Sequence, residues 1–271
     1  MTRTRFDILL LAPLTAFAAA FLLLPLAELV LVAGRGRSGL AAYAAIVTEA
    51  RYLRSLLSTV ALASATTVAT LAIATVAAQF LASRRFAGRN LLVSMLTFPL
   101  AFPGVVVGFM VILLGGRLGL IGGASEALTG ERIVFAYSMT GLFVGYVYFS
   151  IPRVILTVIA AVEKLDPALV EAARSLGAGP FAIQCDVVLP ALTPALFAAG
   201  ALCFATAMGA FGTAFTLAAR IEVLPMVIYT EFTLAANMAS AAALSLALGL
   251  LTWIVLTVAR SLSGSAVAAA G

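Results

Sequence analysis

Long apolar runs separated by short polar stretches dominate this chain of 271 residues. Six such runs can be distinguished, at about 8–32, 55–81, 91–115, 133–160, 190–218 and 236–259. Each is long enough to cross a hydrocarbon layer of ~30 Å as a tilted helix. None alternates apolar and polar residues as barrel strands do, and backbone groups in lipid must bond to one another. The pattern therefore predicts an all-α membrane protein of about six transmembrane helices.

The first run has the flanking charges of a secretory signal, because Arg3 and Arg5 precede it. The apolar region of a signal has about 7 to 15 residues, whereas the run from Ile8 to about Val32 has about 25. We therefore expect a retained first span, with a cleaved peptide as the alternative.

Two further segments, near residues 39–58 and 263–271, complete the predicted organisation of the chain. The segment from Gly39 to about Ser58 mixes apolar residues at helical spacing with three charged residues, which predicts a surface helix at the membrane interface, with a ligand role as the alternative. The last residues, 263–271, are small and predict a flexible tail. We expect an N-terminal helix with an extracytoplasmic segment at 1–54, a transmembrane domain at 55–262 and the tail.

The composition supports a membrane protein and excludes several kinds of site. The chain is 63% hydrophobic and 10% charged, with a mean hydropathy of +1.17, outside the range of soluble domains. The net charge of +5 comes with arginines between apolar runs, where they set topology and contact anionic lipid rather than nucleic acid. Without histidine, and with Cys185 and Cys203 in unlike surroundings, neither a His/Cys metal site nor a structural disulfide is expected.

A polar insert, residues 163–190, separates the fourth and fifth runs and reads EKLDPALVEAARSLGAGPFAIQCDVVLP. Asp166 before Pro167 is a helix-start pattern, since aspartate caps the helix and proline suits its first position. Gly177 supplies the left-handed residue that ends this helix, and Gly179 with Pro180 can start another. The insert therefore predicts a rigid knob of two short helices, outside the lipid.

The insert also resembles a known motif. Glu171, Ala172 and Ala173, then Gly177 after three residues and Leu189 with Pro190 after eleven more, resemble the EAA loop of permease subunits of type I ATP-binding-cassette (ABC) importers. Val187 stands where the family usually has isoleucine, a conservative departure. The resemblance covers about residues 55–260, with the first span as an added helix.

The resemblance implies a set of partners and an orientation. The EAA loop of the family is cytoplasmic and docks on a dimer of ABC ATPase subunits, which bind ATP and magnesium. A second permease subunit, by family habit a paralogue, and an extracytoplasmic substrate-binding protein complete such importers. We expect a bacterial inner-membrane protein with both termini cytoplasmic, which agrees with the weak basic bias of the loops on that side. The chain has no G-x-x-x-x-G-K loop, so we expect no cofactor or catalytic residue within it.

Two interrupted runs are candidates for the translocation path. Pro99, Pro103 and Gly104 lie in the third run, where prolines and glycines permit bends and close helix approach. In the fifth run Met208 and Phe211 flank a glycine, and the corresponding region of related permeases contributes to the gate. Helix packing alone explains either set equally well.

Arg153 is the chemically unusual residue of the fourth run. It lies ten residues before Glu163, or roughly 15 Å along a helix, and an ionisable group at that depth indicates function. One hypothesis places it in the path, attracting an anion, with Tyr146 and Tyr148 lining the approach. In the other, the side chain extends to the cytoplasmic headgroups or pairs with a neighbouring subunit.

The substrate is not determined by these patterns. The resemblance is nearest to spermidine and putrescine permeases, followed by the sulfate, ferric-iron and phosphonate groups, so polyamine is the first expectation. The chemistry favours an anion such as a phosphonate, because Glu28 in the first span is the only acid well inside a run. A stand-alone secondary transporter or a membrane enzyme would need coupling carboxylates, inverted repeats or a buried polar cluster, which the sequence does not show.

Overall fold

Helices form all the regular structure in the part of the chain that the computed structural model describes, residues 3–35, 40–217 and 221–263. The predicted all-α fold is thus confirmed. In chain order the α-helices are α1 (Arg3–Ala18), α2 (Leu24–Arg35), α3 (Ala41–Thr48), α4 (Ala50–Ser83), α5 (Arg89–Thr97), α6 (Gly104–Gly115), α7 (Leu120–Thr129), α8 (Met139–Glu163), α9 (Pro167–Ser175), α10 (Pro180–Ile183), α11 (Leu189–Met208), α12 (Phe211–Leu217), α13 (Leu224–Thr233) and α14 (Met238–Ser263). Two π-helical turns, Ala19–Leu23 and Gln184–Val188, and a 3₁₀ turn, Phe98–Ala101, connect some of these helices.

Six helical stretches among the described residues are long and apolar enough to span a membrane. They are Leu11–Arg35, Ala50–Ser83, Gly104–Thr129, Met139–Glu163, Pro180–Met208 and Met238–Leu262. Several expose large apolar side chains, among them Phe21, Val76 and Trp253. Such surfaces are unfavourable in water and suit contact with lipid or other membrane helices.

By their internal contacts the residues divide into two units, each with its own core. Among the described residues, the first takes 3–35, 40–56 and 227–250. Its small apolar core contains Ala33 of α2, Ala42 of α3 and Ala243 of α14. Arg51 bonds to the buried carboxylate of Glu231 at 3.2 Å, which compensates the cost of burying that charge.

The second unit takes the described residues 57–217, 221–226 and 251–263 and has a core of its own. Here α4, α8 and α11 meet through the apolar side chains Ala74, Ala78, Val154, Ile155, Val158, Leu192, Ala199 and Cys203. The alanines of α4 recur at every fourth position, so they present one small face to the larger residues of α8. This arrangement carries the polar insert at one end of α8 and α11.

The structure corrects the third and fifth predicted spans. The run 91–115 is not one helix, because Phe102 and Pro103 are extended between the 3₁₀ turn and α6. Proline lacks an N–H and clashes with the preceding turn, so the two prolines of this run stop the helix. The candidate span instead runs over α6 and α7. The run 190–218 is also interrupted, since α11 ends at Met208 and α12 begins at Phe211.

The predicted surface helix at 39–58 is wrong in its second half. Helix α3 ends at Thr48, Glu49 is extended, and α4 begins at Ala50. Arg51 and Arg54 therefore lie on the second candidate span. The tail predicted at 263–271 lies, apart from Ser263, outside the described residues. The division at 54/55 stays a prediction.

Candidate functional site

The polar insert folds locally as the sequence predicts. Asp166 caps α9, its carboxylate accepting a bond from the N–H of Ala168 at 2.9 Å. At the other end Gly177 has φ of +84°. The N–H of Gly177 bonds to the carbonyl of Arg174 at 2.9 Å, and that of Ala178 to the carbonyl of Ala173 at 3.0 Å. These two bonds are the Schellman motif, which closes the helix end on itself.

The residues that resemble the EAA loop lie on two different helices, α9 and α11. Glu171, Ala172 and Ala173 lie on α9, with Glu171 and Ala172 exposed and Ala173 half-buried. Leu189 and Pro190 lie further along the chain, beyond the second short helix. Helix α10 continues through the π turn Gln184–Val188 into α11, so Leu189 and Pro190 lie inside a continuous helix.

Large apolar side chains cover the outer surface of the insert. Leu176 is 88% and Phe181 is 81% exposed, and Leu169 is half exposed. They lie among exposed charges, with Glu171 and Arg174 on the same helix. An exposed apolar cluster rimmed by polar residues is typical of a protein–protein contact.

Polar contacts hold the insert against the long helices. The side-chain amide of Gln184 donates from Nε2 to the side-chain oxygen Oε1 of Gln79 on α4, at 2.8 Å. A cavity of about 410 Å³ lies beside this bond, between the insert and the ends of α4 and α8. Near the start of the insert, Arg89 donates to the carbonyl of Leu81 at 2.6 Å and to Glu163 at 3.2 Å. The sequence analysis missed both glutamines, although amides at span ends were an available signal.

A second candidate site lies where the two interrupted helices meet. Gly104 opens α6 directly after the first break, and Gly212 lies in α12 directly after the second. A Cβ on Gly212 would lie 3.0 Å from the backbone nitrogen of Val105, and one on Gly108 would lie 2.6 Å from the Cβ of Thr216. The glycines therefore allow α6 and α12 to pack closely, which supports the packing interpretation of this glycine pattern.

Hydroxyl groups donate to backbone carbonyls beside the two breaks. The Tyr146 hydroxyl donates to the carbonyl of Ala210 at 2.5 Å, between α11 and α12. The Thr213 hydroxyl donates to the carbonyl of Gly104 at 2.9 Å. These contacts connect α8 to the α11–α12 break and α12 to the start of α6, so both breaks are tied to a neighbouring helix.

These elements enclose a cavity of about 220 Å³, the break cavity. It is lined by Gly104, Tyr146, Phe149, Ser150, Thr206, Ala207, Gly209, Ala210, Gly212 and Thr213. Of the predicted path residues, Gly104 and Tyr146 line it. Pro103 precedes Gly104 and is exposed, and Phe211 is half-buried beside the lining residues. Met208 is fully buried, and Tyr148 is 40% exposed on another face of α8.

Arg153 is not among the residues that line the break cavity, but it contacts two of them. Its Nη1 donates to the Thr206 hydroxyl at 2.9 Å, and its Cζ lies 5.8 Å from the centroid of the Phe149 ring. A charge at mid-bilayer depth costs ~3 kcal/mol on an insertion scale, so these neutral contacts offset only part of that cost. Thr206, Thr213 and Ser150 were missed by the sequence analysis, although a hydroxyl beside a helix break was the available signal.

The sequence of this chain matches one protein family over most of its length. Residues 70–265 match the family described as the binding-protein-dependent transport system inner membrane component. The chain belongs to this family. It is therefore a permease subunit of an ABC importer, and the resemblance read from the polar insert is confirmed at this level.

Three relatives of the permease are named for the transport of 2-aminoethylphosphonate, sulfate and molybdenum. PhnU of Salmonella typhi, named for 2-aminoethylphosphonate transport, is 30% identical over 228 residues, covering 82% of this chain and 79% of the relative. The sulfate transport permease CysT of Escherichia coli K12 is 33% identical over 205 residues, covering 76% and 72%. The molybdenum transport permease ModB of the same organism is 34% identical over 149 residues, covering 54% and 64%. These names give the polyamine expectation no support.

The permease fold also matches a solved structure. The crystal structure of a bacterial alginate ABC transporter in complex with an alginate-bound periplasmic protein contains a chain with a TM-score of 0.79 and 15% identity. The match covers 97% of this chain and 95% of that one. At this identity the match establishes the fold alone.

Proposed function

We propose that the permease, paired with a second permease subunit, forms the path for a small oxyanion across the bacterial inner membrane. An extracytoplasmic binding protein delivers the anion, and a dimer of partner ATPases drives import. The chain itself has no catalytic role. The observation that carries this proposal is the family membership together with relatives named for phosphonate, sulfate and molybdenum transport.

The polar insert is the docking surface for the ATPase in this proposal. Its support is the exposed apolar cluster of Leu169, Leu176 and Phe181 on a segment closed by a Schellman motif and bonded to α4. A closed, anchored segment passes a displacement to the helices that carry it, whereas a flexible one absorbs it. The insert then faces the cytoplasm, and so do both chain termini.

Reconstitution tests the transport function. The complex of both permeases, the ATPase and the binding protein is placed in vesicles, and uptake of labelled 2-aminoethylphosphonate, sulfate, molybdate and spermidine is measured. We expect ATP-dependent uptake of at least one of the three anions. Uptake that persists without the ATPase, or uptake of spermidine alone, would refute the proposal.

A matched pair of substitutions tests the docking surface. Leu176→Arg places a charge in the exposed apolar cluster, and we expect at least a tenfold weaker association with the ATPase, or about 1.4 kcal/mol. Leu234→Arg is the control, because Leu234 is 76% exposed in the turn after α13, outside the candidate spans. Equal ATPase binding by the two variants would place the docking surface elsewhere.

A further inference from the structure

Arg153 is a membrane-embedded cation without a carboxylate partner among the described residues. It lies ten residues before the end of α8, or roughly 15 Å along the helix axis. Its polar contact is the neutral hydroxyl of Thr206. The other arginines on which the structure shows an ion pair, Arg51, Arg89 and Arg132, all bond to glutamates. Arg153 thus keeps an unneutralised charge at the place where burial is most costly.

The break cavity adjoins this charge and is suited to an anion. No acidic or basic residue belongs to its described lining, which instead offers the hydroxyl of Ser150 beside small glycines and alanines. Ser150 lies three residues before Arg153, so on a helix both face the same side. The cavity, at about 220 Å³, is several times the ~30 Å³ of a water molecule, which leaves room for a tetrahedral oxyanion.

We infer that the break cavity is an anion subsite within the translocation path. The guanidinium of Arg153 and the hydroxyl of Ser150 bind a tetrahedral oxyanion in passage. The planar fork of arginine matches the paired oxygens of such an anion, and its N–H groups not used by Thr206 are available to donate. Thr206 acts as a positioning residue, since its bond to Nη1 holds the guanidinium at the cavity edge. This inference rests on the proposed anion import and names a site for it.

The two interrupted helices give the site a way to release its ligand. The cavity walls include Gly209, Ala210 and Gly212 at the α11–α12 break and Gly104 at the start of α6. Residues at element ends are those that absorb changes of backbone angle when helices move. A shift at either break therefore changes the distance between Arg153 and the opposite wall, and with it the affinity for the anion.

The test compares uptake with ATP hydrolysis in the reconstituted full complex. In Arg153→Gln we expect uptake of the transported anion to fall about 10- to 100-fold, the range for losing one charged hydrogen bond, while binding-protein-stimulated ATP hydrolysis is retained. Arg153→Lys keeps the charge without the fork, and we expect an intermediate rate. Arg117→Gln removes the same charge from an exposed turn and should transport as the unaltered complex does.

A second variant decides the question if Arg153→Gln does not assemble. Ser150→Asp places a carboxylate within one helical turn of the guanidinium, so it neutralises the subsite while keeping Arg153. We expect it to assemble, to hydrolyse ATP and to lose anion uptake. Wild-type uptake in an assembled Arg153→Gln or Ser150→Asp complex would overturn the subsite. Absence of ATP-dependent anion uptake in the unaltered complex would instead refute the proposed function.

Discussion

Replacing Gly177 by alanine tests whether the backbone of the polar insert must be held in one shape for coupling. Gly177 has φ of +84°, and a Cβ built there would meet nothing within 4 Å. The substitution therefore adds no clash, and its cost comes from the left-handed backbone alone. For an L-residue that cost is roughly 1–2 kcal/mol, which corresponds to a factor of about 5–30 in the population of the closed motif.

Asparagine separates this backbone effect from side-chain bulk. Asparagine is larger than alanine but tolerates the left-handed region better. If the backbone decides, Gly177→Asn should be less harmful than Gly177→Ala. Gly179 provides the matched control, because its φ is −71° and its surroundings are equally open. Serine is a favoured residue at that cap position, so Gly179→Ser should be close to neutral.

The assay is binding-protein-stimulated ATP hydrolysis by the reconstituted complex, with the affinity for the ATPase measured in parallel. We expect hydrolysis and affinity to fall in Gly177→Ala, to fall less in Gly177→Asn and to stay near the unaltered level in Gly179→Ser. A larger loss for asparagine than for alanine would show that bulk at the docking surface matters and would refute the backbone reasoning. Equal values for all three variants would refute any need for the closed motif.

Two further substitutions test the packing around the helix breaks. Gly108→Ala forces a Cβ to 2.6 Å from that of Thr216, so we expect a loss of about 1–3 kcal/mol as α6 and α12 separate, seen as a lower melting temperature in detergent. Gly123→Ala, in open space on α7, should be neutral or stabilising, and an equal loss in both would contradict the close-packing argument. Tyr146→Phe removes the hydroxyl that donates to the carbonyl of Ala210, and we expect it to lower the free energy of unfolding by about 1–3 kcal/mol. The structure shows no hydroxyl bond for Tyr148, so Tyr148→Phe should leave the melting temperature unchanged.

The features of the insert that the sequence predicted are those decided within a few residues. The bond from Ala168 to the carboxylate of Asp166 spans two positions, and the conformation of Gly177 is a local backbone preference. The six spans were also predictable in number, since length and hydropathy determine them. Their ends were not, because helix ends depend on proline, glycine and capping residues within otherwise apolar runs.

The continuation of α10 into α11 could not be read from the sequence. Leu189 and Pro190 indicate a helix boundary, since proline removes an N–H and clashes with the turn before it. Here that turn is π-helical, with the N–H of Leu189 bonded to the carbonyl of Gln184. The wider turn accommodates the ring without ending the helix. The contact of Tyr146 with Ala210 joins residues 64 positions apart, and no local pattern predicts such a pair.

The uninterrupted helix from Pro180 to Met208 connects the polar insert directly to the wall of the break cavity. It has 29 residues, so its axis is about 43 Å long. Its contacts with α8 reach Cys203, about 5 Å along the axis from Thr206, so a tilt of about 5° about these contacts moves Thr206 by less than about 1 Å. Thr206 lies near the far end, and such a tilt leaves its bond to Arg153 at 2.9 Å in place. A displacement along the helix axis differs from a tilt, because a continuous helix carries it from the insert to Thr206 without reduction, so an axial movement is the one that reaches the cavity.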